Sequence, residues 1–242
     1  MGQSYNNSID VPDLNIILPV HNEVNSLGKV LEEWKDEVDK LKIRYEFVIC
    51  EDGSTDGTKE LLNDLQYKFP IALSQEDAQR GYGKAVIDGI KLSHSHLVLC
   101  IDSDGQCDPK DFHEFWRNKD TSDILIGWRT NRQDSFLRKL YSGSFKKVFN
   151  MLFSSGLHDP SAPFVLFRKQ KIIDNLDYLF YLQEGFWWGF VAMCCKKKLR
   201  IKEIPINHRI RFDGGTRVFV FSRIFSIAFR NLTGLIRLKS AK

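Results

Sequence analysis

The chain has few features that would place it outside the class of globular enzymes. No run of about 18 uncharged apolar residues occurs along its 242 residues, so none of it is expected to span a bilayer. The first thirteen residues, MGQSYNNSIDVPD, are polar and lack the apolar stretch of a secretory signal. Asn6 stands where a myristoylation signal carries Ser or Thr. The five cysteines (Cys50, Cys100, Cys107, Cys194, Cys195) are odd in number, show no C-x-x-C spacing and include an adjacent pair. That pattern suits neither a disulfide framework nor a zinc site, and it predicts reduced, mostly buried thiols in a cytoplasmic protein. The six histidines form no metal-spaced cluster, and no repeat or low-complexity tract occurs. A charge of one sign is missing too: 35 Lys and Arg face 31 Asp and Glu, for a net charge of +4. Such a balance gives no reason to expect a nucleic-acid partner. The bases do concentrate in residues 196–242, where they alternate with aromatics and favour a phosphorylated or anionic-membrane partner.

What is present is a regular alternation. With 43% hydrophobic residues the chain can bury the core of one large α/β domain. Residues 14–20 (LNIILPV), 45–50 (YEFVIC) and 97–101 (LVLCI) are short apolar runs, as expected of strands covered on both faces. A shorter strand is expected near 71–73 and another at 123–128. Helices are expected at 26–41, from about 57, at 83–93 and from 109. The first of these places Leu27, Val30, Leu31, Trp34, Val38 and Leu41 at helical spacing. This βαβα order predicts a Rossmann-like, doubly wound, mostly parallel sheet. In such sheets ligands bind beyond the carboxyl ends of the strands. The second half is less regular, with helices expected at 135–154 and 186–198, strands at 164–168 and 200–206, and a polar loop at 207–217.

Three polar clusters fall at those strand ends. Asp102-Ser103-Asp104-Gly105-Gln106 closes a buried strand with two carboxylates two residues apart. Ionised groups there need a cation or dense hydrogen bonding, and a hard ion such as Mg²⁺ or Mn²⁺ fits oxygen donors. The same residues are also ordinary turn formers. Glu51-Asp52-Gly53-Ser54-Thr55-Asp56-Gly57-Thr58 suits ribose or base contacts, and equally a turn with a helix N-cap at Ser54 or Asp56. Arg80-Gly81-Tyr82-Gly83-Lys84-Ala85 is neither a dinucleotide fingerprint nor a Walker loop, since Ala85 replaces the Ser or Thr that would hold Mg²⁺. It still offers a basic loop, including Lys84, at a helix start, where a diphosphate can bind.

Taken in order, strand–Pro19-x-x-Asn22-Glu23, strand–Glu51-Asp52-Gly53-Ser54-x-Asp56-Gly57-Thr58, the basic glycine loop and strand–Asp102-x-Asp104-x-Gln106 resemble family 2 glycosyltransferases of the GT-A fold. More narrowly, the chain resembles the dolichyl-phosphate mannose synthase branch, over about residues 14–217. With no repeat, low-complexity tract or linker, the chain is expected to form one domain over 1–242, with a nucleotide-sugar half (about 14–128), an acceptor half (about 129–217) and an amphipathic tail (218–242). The resemblance carries further implications for the site. It implies that Pro19, His21, Glu23 and Asp52 line the nucleotide site. Asp102, Asp104 and Gln106 would hold Mg²⁺ or Mn²⁺ and the diphosphate of a GDP- or UDP-linked sugar. The acceptor would be a polyprenyl phosphate and the reaction inverting. Matching positions for phosphate ligands are Arg129, Arg138 and Ser142, and then Arg211 and Arg217 of a late R-x-x-G-x-[ST]-[KR] element. His21 departs from the family where Tyr is common, Cys107 where His often follows the Gln, and Ala162-Pro163-Phe164 where a Gly-Phe pair is usual. A thiolate at Cys107 would favour a softer metal. Asp159 and Glu184 are the carboxylates that a hydroxyl-directed relative could use as a base. Transfer to a sugar hydroxyl is the alternative within the class. Outside it stand a nucleotidyltransferase and a non-catalytic sugar-nucleotide binder.

The tail carries Arg223, Arg230 and Arg237 seven apart. Phe221, Ile224, Phe225, Ala228, Leu232, Leu235 and Ile236 are expected to form the opposite face. A helix of this kind can lie peripherally on the cytoplasmic face of a membrane, or dock on the protein's own core.

Overall fold

The structure is a computed structural model that describes residues 11–130, 136–182, 184–212 and 221–241, with side chains omitted within 136–142 and 221–225. Seven strands form one sheet: β1 (Leu14–Val20), β2 (Tyr45–Asp52), β3 (Ile71–Glu76), β4 (Leu97–Cys100), β5 (Ile124–Arg129), β6 (Val165–Arg168) and β7 (Ile201–Ile206). Their order is β3-β2-β1-β4-β6-β5-β7. Every residue of β1 and β4 is buried, as their uninterrupted apolar runs predict for central strands. Side chains alternate between the two faces of the sheet. Ile17, Val48 and Val98 enter one apolar layer, while Ile16, Leu18, Phe47 and Leu99 enter the other.

Helices cover both faces. On one side, α1 (Leu27–Asp39) buries Leu27, Val30, Leu31, Trp34 and Val38, one stripe of a helix with period 3.6. Beside it lies α4 (Phe112–Asn118), whose Phe112 and Phe115 join Trp34 and Phe164 in one aromatic cluster. A further helix, α2 (Thr58–Leu65), follows β2. The other face is covered by α3 (Tyr82–Leu92), α7 (Phe186–Lys196), a 3₁₀ segment (Ile173–Tyr181) and α8 (Phe221–Ser240). The remaining helices, α5 (Phe136–Phe153) and the single turn α6 (Lys169–Ile172), flank β6.

One strand departs from the expected parallel arrangement: β6 runs antiparallel to both β4 and β5. After α5 the loop 154–164 returns the chain to the carboxyl end of the sheet, where Val165 pairs with Cys100 and Ile126. The loop residues His158–Ser161 therefore start β6 from the edge at which β1, β2 and β4 end. A four-residue strand such as VLFR, with three apolar residues and an arginine, carries no mark of strand direction, which is why the sequence pattern missed this.

The tail is helical, as expected, but its faces divide differently. Leu235 and Leu238 are fully buried against the core, with Asn231 and Gly234 beside them, and a Cβ at Gly234 would lie 2.4 Å from the Tyr181 carbonyl oxygen. Ile236, expected on the buried face, is 48% exposed and Phe229 68% exposed, next to exposed Arg230 and Arg237. Successive helical residues are about 100° apart, so Leu235 and Ile236 cannot both sit at the middle of one face. No helix among the described residues is long and apolar enough to cross a membrane. Leu235→Ala is expected to cost about 2–5 kcal/mol of stability, the range for a fully buried leucine. Ile236→Ala should cost under about 0.5 kcal/mol, and paired urea unfolding curves measure the difference.

Candidate active site

The carboxyl ends of β1, β2 and β4 meet in a cleft of about 210 Å³ lined by Pro19, His21, Glu23, Asp52, Asp102, Asp104 and Arg211, together with Gln79, Tyr82 and Ser103. Three loops build it by holding one another. After β1 the chain turns through Asn22, which takes a left-handed φ of 55°. The Asn22 amide donates to Ser54 Oγ (2.9 Å), and the Thr55 amide donates back to Asn22 Oδ1 (2.8 Å). The Glu23 amide donates to Thr58 Oγ1 (3.0 Å) and the Val24 amide to Asp56 Oδ2 (3.2 Å). Ser54 and Asp56 thus brace the β1 loop, and α2 has Gly57 at its N-cap. Gly53 must be glycine: its φ is +68°, and a Cβ would lie 2.4 Å from the Ala78 backbone.

Asp52 fixes the glycine loop. Its Oδ1 accepts from the Arg80 amide (2.7 Å) and its Oδ2 from the Gly81 amide (2.8 Å). The Asp52 carbonyl accepts from His21 Nδ1 (2.7 Å), so that nitrogen carries the proton and Nε2 accepts from Asn22 Nδ2 (3.2 Å). The basic side chains of this loop point elsewhere. Lys84 pairs with Asp88 one helical turn on, and Arg80 pairs with Asp88 and Glu76. Lys84, expected at the diphosphate, does not line the cleft.

Asp102 and Asp104 are the centre of negative charge. Burial, and then the neighbouring Asp104 charge, push Asp102 up to about 7. Tyr82, whose hydroxyl donates to Asp102 Oδ1 (2.8 Å), pulls the other way, as do Arg129 and Arg211. Asp104 Oδ1 accepts from the Gln106 amide (3.0 Å). The Gln106 side chain donates to the Arg209 carbonyl (3.3 Å) and does not line the cleft. Cys107 is buried, and burial together with the Asp102 charge holds its thiol well above the usual range, so it stays protonated. Cys107 also does not line the cleft, so its sulfur is not among the donors gathered there. Two hard carboxylates that repel one another at the cleft are a donor set that a hard divalent ion fits. No group of three or more His, Cys, Asp or Glu side chains able to hold a metal occurs among the described residues. All five cysteines are free thiols.

The late loop closes over this cluster. The Arg209 amide donates to the Gln106 carbonyl (3.0 Å) and the Phe212 amide to the Asp104 carbonyl (3.2 Å), with a single β-bridge between Cys107 and His208. Gly105, at φ +80°, lies under the Phe212 ring, which a Cβ would meet at 2.4 Å. Arg211 is carried to the cleft and paired with buried Glu23, whose other oxygen accepts from Ser26 Oγ (2.6 Å). At the end of β5, Arg129 forms a bidentate pair with buried Asp159 (2.7 and 2.9 Å) and donates to Ser161 Oγ (3.0 Å). Glu184 is exposed and pairs with Arg230 of α8 (2.7 Å). Arg138 and Ser142 lie in α5, but their side chains, and Arg217 as a whole, fall outside the described residues.

The cleft residues Gln79, Tyr82 and Ser103 had no expected role. Tyr82 stood between two glycines in a loop already singled out, but its partner is Trp187, 105 residues away, beyond the reach of local pattern.

Similarity to known proteins agrees with this geometry. A dodecaprenyl-phosphate galacturonate synthase from Rhizobium johnstonii is 29% identical over 229 residues, covering 92% of this chain and 66% of its own length. A dolichyl-phosphate beta-glucosyltransferase from Dictyostelium discoideum is 28% identical over 260 residues, covering 97% and 79%. An undecaprenyl-phosphate 4-deoxy-4-formamido-L-arabinose transferase from Aeromonas hydrophila is 30% identical over 155 residues, covering 63% and 47%. The chain thus spans just under two thirds of the Rhizobium protein and about half of the Aeromonas one. Among solved structures, a glucosyl-3-phosphoglycerate synthase from Mycobacterium tuberculosis, crystallised with Mn²⁺, uridine diphosphate and phosphoglyceric acid, superposes with a TM-score of 0.69 at 13% identity over 96% of this chain and 80% of that one. A mannosyl-3-phosphoglycerate synthase from Rubrobacter xylanophilus gives 0.62 at 12% identity over 93% and 73%. These likenesses establish the GT-A fold. The sequence profile of Glycosyl transferase family 2 matches residues 15–176, and with the strand-end motifs assembled into one cleft, the chain belongs to that family.

Proposed function

We propose that the protein transfers a sugar from a GDP- or UDP-linked donor to a polyprenyl phosphate, with inversion, in a single glycosyltransferase domain. The observation that carries this is the convergence of Pro19, His21, Glu23, Asp52, Asp102, Asp104 and Arg211 on one cleft. The names of the three relatives, each a transferase or synthase of a polyprenyl phosphate, support the acceptor class. Pro19, His21, Glu23 and Asp52 would surround the nucleoside. Asp102 and Asp104 would hold Mg²⁺ or Mn²⁺, and the Mn²⁺ of the Mycobacterium structure supports that choice. When bound, the ion supplies charge stabilisation to the departing diphosphate. Arg211 leaves Glu23 to meet phosphate oxygens that carry more charge than one carboxylate, a role that fixed cationic donors perform well. Arg129, with Arg138, Ser142 and Arg217, would receive the acceptor phosphate. Lys84 and Gln106 have a supporting role in this reading, shaping the glycine loop and the late loop.

A phosphate monoester is already anionic at neutral pH, so its oxygen can attack the anomeric carbon without a dedicated base. The two carboxylates that could serve as one are otherwise engaged: Asp159 by Arg129 and Glu184 by Arg230. That pairing favours the phosphate acceptor over a sugar hydroxyl, which needs a positioned base. The decisive assay is metal-dependent release of nucleoside diphosphate from a panel of nucleotide-sugars, with a short polyprenyl phosphate as acceptor. Asp104→Asn should abolish release while leaving the melting temperature nearly unchanged, because it removes a metal ligand from a loop. Glu184→Gln should leave both the rate and its pH profile as in the wild type. Loss of the basic limb in that variant, or robust transfer to a free sugar hydroxyl, would favour the cell-wall type of enzyme.

A membrane-bound acceptor also suits the outward face of α8. Phe229 and Ile236 are exposed there beside Arg230, Arg237 and Lys239. Each basic residue near an anionic surface adds roughly 1 kcal/mol of attraction, and salt screens it. The wild-type protein should float with anionic liposomes at low salt and lose that association as salt rises. The double variant Phe229→Ser, Ile236→Ser should float several-fold less, with unfolding midpoints near the wild type. Equal flotation would leave α8 as a core element alone.

A further inference from the structure

Asp102 is held by a chain of hydrogen bonds that starts in a distant part of the sequence. Trp187 Nε1 donates to the Tyr82 hydroxyl (2.8 Å), and that hydroxyl donates to Asp102 Oδ1 (2.8 Å). An indole N–H can only donate, so Tyr82 must accept from it, and the single hydroxyl proton is left for the carboxylate. The direction of the relay is therefore fixed: indole to phenol to carboxylate. Trp187 is buried in α7, and Tyr82 opens α3. The two helices meet closely. The Tyr82 ring stands edge-on to Phe186 at 6.1 Å, and a Cβ on Gly83 would approach the Phe186 ring to 2.9 Å.

We propose that Tyr82 and Trp187 are positioning residues for Asp102, orienting one carboxylate oxygen so that the other is presented to the cleft, and that α7 thereby sets the geometry of the donor site. This rests on the reading of Asp102 and Asp104 as the place of the metal and donor diphosphate. The relay supplies orientation, while the hydroxyl keeps its proton and forms no bond to substrate. A hydrogen bond from a neutral phenol holds the carboxylate without neutralising its charge, whereas an ion pair with Lys or Arg at the same place would compete with a cation. Aromatic packing alone would need the Tyr82 ring but not its oxygen, and Tyr82→Phe separates the two.

The test is binding rather than turnover. Titration calorimetry on the full chain would measure the affinity for uridine diphosphate and for guanosine diphosphate, each with and without Mn²⁺. The set is wild type, Tyr82→Phe, Trp187→Phe, the double variant and Asp102→Asn. Tyr82→Phe should weaken Mn²⁺-dependent nucleotide binding about tenfold, the scale of a lost hydrogen bond to a charged group, and by more than it changes the affinity without metal. Trp187→Phe should weaken it in the same sense, and the double variant should be no worse than Tyr82→Phe, as for two links of one chain. The five tryptophans also give a readout that needs no change at Trp187. In ¹H–¹⁵N spectra, one indole N–H signal should move in Tyr82→Phe, and the same signal should move when nucleotide is added with Mg²⁺ to the wild type. Unchanged Mn²⁺-dependent affinity in Tyr82→Phe would overturn the proposal, as would additive effects of the two substitutions or indole spectra that superimpose. If Asp102→Asn abolishes metal-dependent binding while Tyr82→Phe leaves it intact, only the relay fails. If the wild type binds neither nucleotide with Mn²⁺, or Asp102→Asn matches it, the reading of the donor site fails and the relay with it.

Discussion

Two like charges placed at the end of a buried strand constrain everything around them. Asp102 is pushed up to about 7 by its burial and then by the charge of Asp104 two residues on. The protein offsets that repulsion from three directions. Tyr82 comes from the start of α3, Arg129 from the end of β5, and Arg211 from the late loop. Each of these is in turn anchored: Tyr82 by Trp187, Arg129 by Asp159 and Arg211 by Glu23. The anchors sit in parts of the sequence far from Asp102, so the surroundings of the carboxylate pair draw on both halves of the chain. None of the three neighbours neutralises Asp102 by direct ion pairing among the interactions described here, and this leaves the pair receptive to a cation.

The part of the cleft built from strand ends was largely legible in the sequence. A wholly apolar run such as LNIILPV has few uses other than a central strand, and polar clusters that follow such runs fall at one edge of the sheet. That reasoning located Pro19, His21, Glu23, Asp52, Asp102 and Asp104 in one place, where the structure puts them. It did less well with long side chains. Lys84 stands in a basic glycine loop, yet Asp88 is four residues on, the spacing at which a helix brings opposite charges together. Gln106 likewise follows the carboxylates in sequence but turns to the Arg209 carbonyl.

The rest was hidden for physical reasons. Strand direction is not encoded in a strand of four residues, so β6 could not be recognised as antiparallel. The partnership of Tyr82 with Trp187 depends on how α3 and α7 pack together on one face of the sheet. Arg129 was read as an acceptor ligand, but the buried carboxylate that holds it arrives on a loop of unremarkable composition. In α8 a seven-residue arginine stripe was legible, while the boundary of the buried face was not, since Leu235 and Ile236 are equally apolar and only the packing of Leu235 into the core separates them.

The reversed β6 has a consequence for how this architecture can be varied. The Gly127 amide donates to the Phe164 carbonyl at 2.8 Å, so the chain leaves the sheet after β5 and rejoins it at the same spot. Everything between, including α5 and the loop that brings Asp159 to Arg129, is a closed excursion with both ends pinned to one point on the rim of the cleft. Such a segment can be lengthened, shortened or exchanged without changing the order of a single strand. The sheet and its carboxylates then serve as a fixed chassis, and the excursion as a cassette whose length and composition can differ without disturbing the strand order.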